Sequence, residues 1–224
     1  MLKPLSVILA PALFWLLYHR WKDRRRPEPL VLMALAYLLG IGSGWLGVAF
    51  YDVAGRLGAS TDPHGLAETS PLGFLLYALC VIGPIEELVK FLPFALVCIR
   101  LRQFDEEIDG IVYASAVALG FASYENYLYM GFLEGPTLIA RAVASPLTHA
   151  MFASIWGYTC GRARARGTSF AKAALVGLGI SAPIHGLYDY FALSGSDWVR
   201  VLPAGVILVI WGWRMALLER LGRV

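Results

Sequence analysis

The run VIGPIEELVKFLPF, residues 81–94, places two adjacent glutamates, Glu86 and Glu87, and a lysine, Lys90, inside one of the most apolar parts of the chain. Its flanks extend the apolar segment to about 72–99, more than the roughly 20 helical residues needed to cross a bilayer core about 30 Å thick. The rest of the chain has the same character. Of 224 residues, 58% are hydrophobic and only 16% charged, and the mean hydropathy is +0.62. A soluble domain carries about 25% charged residues. The composition therefore predicts an all-α, polytopic membrane helical bundle and excludes an ordinary soluble domain.

Working outward from 72–99, further candidate spans cover about 4–19, 30–51, 110–130, 138–160, 170–191 and 198–218, about seven transmembrane helices in a single domain over 1–224. The first is no cleaved leader by its pattern: Arg20, Lys22, Arg24, Arg25 and Arg26 follow the apolar run instead of preceding it. With alternating orientation, 14 of the 19 Lys and Arg fall on the side of Arg100, Arg102, Arg162, Arg164, Arg166, Lys172, Arg214, Arg220 and Arg223. Lys3, Arg56, Arg141 and Arg200 fall on the other, and Lys90 lies within the membrane. Basic residues favour the cytoplasmic side, so this count predicts an outside N-terminus and a cytoplasmic C-terminus. The loop 52–71 becomes the longest external stretch, with room for a short interfacial helix. The RARARG run reads as a topology-setting loop and not as a nucleic-acid contact, because no aromatic side chains accompany it. Cys80, Cys98 and Cys160 form no CxxC pair and read as small buried hydrophobes. His19 and His64 read as bystanders.

Ionisable residues inside a membrane cost about 2.5–3.5 kcal/mol each on insertion scales and are functional candidates by default. Four segments carry them: Glu86, Glu87 and Lys90 in the third, Glu125 with Asn126 in the fourth, His149 in the fifth, His185 and Asp189 in the sixth. Glu86 and Lys90 are four apart, so they share a helix face and are expected to pair. His185 and Asp189 are likewise four apart, which suits a carboxylate fixing an imidazole tautomer. The Gly83-Pro84 pair predicts a fresh helical start that puts both glutamates in a first turn. A helix broken at mid-membrane needs protein or a polar cavity to satisfy its freed backbone. The acidic turn FDEEIDG (104–110) reads as helix-start chemistry, with contact to Arg100 and Arg102 as the other expectation.

Carboxylates and histidines in a low-dielectric cavity suit water activation. A glutamate serves as general base. Two histidines and a glutamate also make a Zn²⁺ site with an open position, leaving another glutamate as base. Hydrolysis of a peptide bond is the natural reaction. GxSxG, HExxH and GxGD motifs are absent. A non-catalytic scaffold or immunity protein predicts a missing Glu or His, and a proton-coupled transporter predicts internal repeats; neither mark is present.

EELVK (86–90), FDEEIDGIVYASAVALGFASYENYLY (104–129), RAVASPLTHAMFASIWGY (141–158) and HGLYDYF (185–191) together resemble the PrsW family of intramembrane proteases, a relative of the CAAX-processing endopeptidases. The resemblance covers about 72–192. One departure is Glu107, which stands where the family pattern DEP.DG has proline. The resemblance implies a multi-pass protease of the bacterial inner membrane that cuts a single-span, anti-sigma-factor-type substrate. It assigns Glu86 or Glu87 as base, with Lys90 closing that motif. It assigns Glu125, His149 and His185 as water-orienting groups, or as ligands where Zn²⁺ is held. Asp189 falls four beyond the second histidine, and Asn126, by its amide chemistry, offers an oxyanion donor.

Overall fold

The computed structural model describes residues 2–22, 26–60, 62–193 and 201–221, and among these it holds helices and no strand. Helices α1 (Leu2–Lys22) and α2 (Leu30–Arg56) precede a short α3 (Pro63–Thr69). Then α4 (Pro71–Tyr77), a π turn (Ala78–Ile82) and α5 (Gly83–Leu96) form one continuous helical segment that ends in a 3₁₀ turn at Cys98–Arg100. Helices α6 (Glu107–Tyr129), α7 (Gly135–Ala165), α8 (Phe170–Leu193) and α9 (Leu202–Leu221) complete the bundle. The short helix expected in the 52–71 loop is α3. It begins at Asp62, whose carboxylate accepts the Gly65 N–H at 2.9 Å, the usual way to satisfy an orphan amide at a helix start.

Five of the long segments are apolar and long enough to cross a bilayer: α2, Pro71–Arg100, α7, α8 and α9. Helix α6 is long but less apolar, and its place explains why. It is the central post, buried without a break from Ile108 to Ser123, packed against α7 on one side and α2 on the other. A helix wrapped by protein need not match lipid. The outer helices show the inverse pattern, with Val31, Trp45, Leu175 and Val209 pointing outward. Apolar area gives little drive to helix association in lipid, so close backbone approach through small residues takes its place. Gly157 and Gly161 of α7 lie on Gly110 of α6, and a Cβ at any of the three would collide with the facing backbone. Gly157→Leu is accordingly expected to abolish recovery of folded protein in detergent. Gly179→Leu, where a Cβ meets open space, is expected to leave the melting temperature within a few degrees of wild type.

The expected fresh start at Pro84 is replaced by the π turn. The Gly83 N–H reaches the Ala78 carbonyl, an i→i−5 bond. Widening one turn accommodates the ring of Pro84 and its missing N–H without ending the helix. The helix therefore runs on, and no free helix N-terminus faces the glutamates. Gly83 also lets α5 close onto Ala182 and Gly186 of α8, which sets the glutamates beside His185.

Salt bridges gather three connections at one end. Arg26 lies 3.6 Å from Asp105 and 3.5 Å from Glu106, and Arg166 lies 2.7 Å from Glu107. The acidic turn thus contacts Arg26 and Arg166, not Arg100 and Arg102. Its helix-start role holds: the Asp109 carboxylate accepts the Asp105 and Glu106 amides at 2.8 and 2.7 Å. Glu107, in the place of the family's proline, opens α6. Arg214 and His19 differ from expectation. Arg214 is not at a solvated end but buried, donating to Ser115 Oγ at 3.0 Å and to His19 Nε2 at 2.8 Å. His19 is therefore a buried partner and no bystander. Arg24, Arg25, Arg200 and Arg223 lie outside the described residues, as does the side chain of Lys3. Cys98 and Cys160 are buried as expected, whereas Cys80 is exposed on the outer surface.

Candidate active site

Glu86 and Glu87 sit one turn beyond the π turn on α5, and their adjacency sends them to different partners. Glu87 is fully buried and fully occupied. Lys90 Nζ donates to Oε1 at 2.5 Å, His185 Nδ1 donates to the same oxygen at 2.7 Å, and Trp156 Nε1 donates to Oε2 at 2.8 Å. Lys90 is fully buried as well and lies 4.9 Å from the centre of the Phe121 ring. The pair expected between Glu86 and Lys90 is thus made by Glu87 instead, at i,i+3. Helical side chains at both i+3 and i+4 are within reach, and side-chain direction chooses between them.

Glu86 has the opposite environment. Its Oε1 accepts the Tyr51 hydroxyl of α2 at 3.0 Å. Its Oε2 is buried without a hydrogen-bond partner. That oxygen lies 3.6 Å from His185 Nε2 and 4.0 Å from His149 Nδ1. A buried carboxyl oxygen without a partner, facing two imidazoles, is a polar atom that costs free energy until something binds it.

Two ring protons follow from the partners. Glu87 only accepts, so His185 carries a proton on Nδ1, while its Nε2 faces Glu86 Oε2 at 3.6 Å and Asp189 Oδ2 at 3.4 Å. Lys90 only donates, so His149 accepts at Nδ1 over 3.1 Å and donates from Nε2 to Glu125 Oε2 at 2.8 Å. The two rings meet edge to face, 5.2 Å between centroids, and Phe152 stacks on His185 at 4.6 Å. These packed rings hold both imidazoles in place.

Glu125, of α6, stands behind His149. Its other oxygen binds Arg141 at 2.8 Å, and the guanidinium lies 3.3 Å over the Tyr129 ring. Asn126 is fully buried next to it, and neither its amide nitrogen nor its oxygen has a partner. The structure therefore brings together Glu86, Glu87, Lys90, Glu125, His149, His185 and Asp189, whereas the Asn126 side chain makes no hydrogen bond to any of them. It adds three: Tyr51, Trp156 and Arg141. Two had a signal. Arg141, His149 and Trp156 recur at intervals of eight and seven along α7, which places them on one stripe of a 3.6-residue helix. Tyr51 had none, being one aromatic among several near the end of a span.

The donor set fits a divalent metal. Glu86, His149 and His185 each offer one atom, all within 4.8 Å of one another, and two imidazole nitrogens with one carboxylate oxygen leave Zn²⁺ an open position. The unpartnered Glu86 Oε2 fits the same role. Sequence had placed Glu125 in this set. The geometry puts Glu86 beside both histidines and leaves Glu125 on the far nitrogen of His149. Lys90 would give up its contact with His149 Nδ1 to such an ion.

Comparison with known proteins points the same way. A model of the PrsW family of intramembrane metalloproteases matches residues 28–216. The chain is 32% identical over 219 residues to Protease PrsW of Oceanobacillus iheyensis, covering 97% of this chain and 94% of that protein. It is 29% identical to Protease PrsW of Clostridioides difficile, over 95% of this chain and 88% of that one. For Protease PrsW of Bacillus subtilis the identity is 28%, over 95% and 93%. No solved structure matches.

Proposed function

The chain belongs to the PrsW family of intramembrane metalloproteases, and from that premise we propose that it hydrolyses a peptide bond of a membrane-anchored protein at the site built on Glu86, His149 and His185. The observation that carries this reading is the buried, unpartnered Oε2 of Glu86 facing both imidazoles. A water held there gives a proton to Glu86 as its oxygen attacks the scissile carbonyl. The proton then passes to the departing amide nitrogen, with His185 Nε2 positioned to share it. The Asn126 amide, buried and unpaired beside Glu125, would serve as the oxyanion donor in this reading. Glu87, Lys90 and Trp156 fix the His185 tautomer. Glu125, clamped by Arg141, fixes that of His149. Where Zn²⁺ is bound, Glu86, His149 and His185 would hold it in place of the glutamate-base step, and it would polarise the carbonyl and acidify the water.

The loops joined by Arg26 and Arg166 sit at the cytoplasmic end in this proposal, which leaves the N-terminus outside and the C-terminus inside the inner membrane. Glu125 is then four residues from the outer end of α6 and His185 eight from that of α8, so cleavage falls in the outer half of the bilayer. A single-span substrate of the anti-sigma-factor type meets that requirement, since its helix must unwind to expose one bond. The test is cleavage of a single-span substrate by purified protein in proteoliposomes, with metal content measured in parallel. Wild type is expected to cut toward the outer side, and His149→Ala and His185→Ala are expected to lose both turnover and stoichiometric Zn²⁺. Full activity in both variants would refute the site. Full activity of metal-free wild type would remove the metal and leave the glutamate mechanism.

A further inference from the structure

We propose that the groove between the ends of α5 and α7 binds one anionic phospholipid. The groove holds about 640 Å³, within the range of about 300–1,000 Å³ typical of ligand sites. Ala95, Ile99, Ala163 and Phe170 form its apolar floor, and Arg100 and Arg164 stand at its edge. No acidic residue lines it. Arg26 and Arg166, at the same end of the bundle, are neutralised by Asp105, Glu106 and Glu107. Arg100 and Arg164 are not: among the described residues, neither has a carboxylate within ion-pair distance. Arg100 only donates from Nη1 to the Leu96 carbonyl of its own helix, at 2.8 Å, and the rest of its guanidinium is free to bind.

Two unpaired guanidiniums beside an apolar slot call for an amphipathic anion. Guanidinium is the side chain best shaped to bind phosphate oxygens two at a time. The slot opens where the span Pro71–Arg100 and helix α7 end, the depth at which phosphates sit above acyl chains. Basic pockets between transmembrane helices at such a boundary are a known means of holding anionic headgroups. A free phosphate would satisfy the arginines and leave the half-buried Ala95 and Phe170 uncovered. A phospholipid meets both requirements with one molecule. The bound chain would lie on Phe170, which stacks on Phe91 at 6.1 Å. Phe91 in turn meets Trp156 edge-on at 5.5 Å, so the lipid braces the helices that carry Glu87 and its partners.

The test uses the full chain in detergent micelles with phosphatidylglycerol or phosphatidylcholine titrated in, read by native mass spectrometry and by melting temperature. Wild type is expected to retain one phosphatidylglycerol at least tenfold more tightly than phosphatidylcholine, and to melt higher in its presence. Arg100→Gln/Arg164→Gln, two exposed positions, is expected to melt normally without lipid and to lose that preference. Arg162→Gln, on the same end but outside the groove, is expected to keep it. Ala95→Phe retains both arginines, fills the floor and is expected to weaken binding about tenfold. Equal retention of the two lipids, an equal loss in Arg162→Gln, or tight binding by Ala95→Phe would overturn the proposal. So would displacement of the lipid by millimolar inorganic phosphate, which would mark a bare anion site.

Discussion

Glu86→Gln is expected to lower turnover about 10³-fold, within the range of about 10²–10⁴ that a positioned general base contributes, and to leave the protein folded. Gln has the shape of Glu, keeps an oxygen for the Tyr51 hydroxyl, and has no donor to disappoint at Oε2, where wild type has no partner. What it lacks is basicity. The neighbouring substitution Glu87→Gln has the opposite profile. Three donors converge on Glu87: Lys90, His185 and Trp156. An amide can accept at one end only, so one donor meets an N–H, and buried Lys90 loses its counter-charge. Glu87→Gln should therefore melt well below wild type, with activity lost because His185 is no longer held. Single-turnover cleavage in proteoliposomes, read alongside thermal unfolding, separates the two. Wild-type turnover in Glu86→Gln would reject it as the base. An equal loss of stability in the two variants would make Glu86 a structural residue.

Much of this arrangement is legible from the chain. Seven apolar segments become seven long helical segments among the described residues, and five of them are long and apolar enough to cross a bilayer, whose thickness fixes span length firmly. Glu86, Glu125, His149 and His185 stand out because hydrocarbon makes every ionisable group an exception. The pairing within the site was not legible, and the reasons are local. From Lys90 both the i−4 and the i−3 glutamate are within reach, so spacing along α5 cannot choose between Glu86 and Glu87. Lys90 chooses Glu87 because Trp156 and His185 already converge there, a tertiary fact. Arg141 reads as an outer-side charge near the start of its span until the fold brings Glu125 against it. Arg214 reads as a cytoplasmic end residue until α1 brings His19 against it. Where packing between helices decides a partner, spacing along one helix names only the candidates.

Lys90→Met is expected to destabilise the protein by about 3–5 kcal/mol, the usual cost of removing one member of a buried ion pair. Methionine matches the lysine stem in length and flexibility, so little packing is lost and the effect isolates the charge. Glu87 keeps the His185 and Trp156 donors but stands as an anion in a site with no water to solvate it. His149 meanwhile loses the donor at Nδ1. Adding Glu87→Gln to Lys90→Met removes the stranded charge, and the double variant is expected to recover part of the lost stability, because Gln still accepts from one of the two remaining donors. The recovery stays partial, since the other donor is left buried without an acceptor, at about 1–3 kcal/mol. Reversible unfolding of the wild type, both single variants and the double variant closes a double-mutant cycle on this pair. A Lys90→Met protein as stable as wild type would mean that Glu87 is neutral in the folded state. The charge that organises the histidines would then have to come from elsewhere. A large coupling energy, with activity absent from all three variants, is the expected result. It would establish that Lys90 and Glu87 act as one unit, the unit that holds the His185 Nδ1–H and so sets its Nε2 toward Glu86.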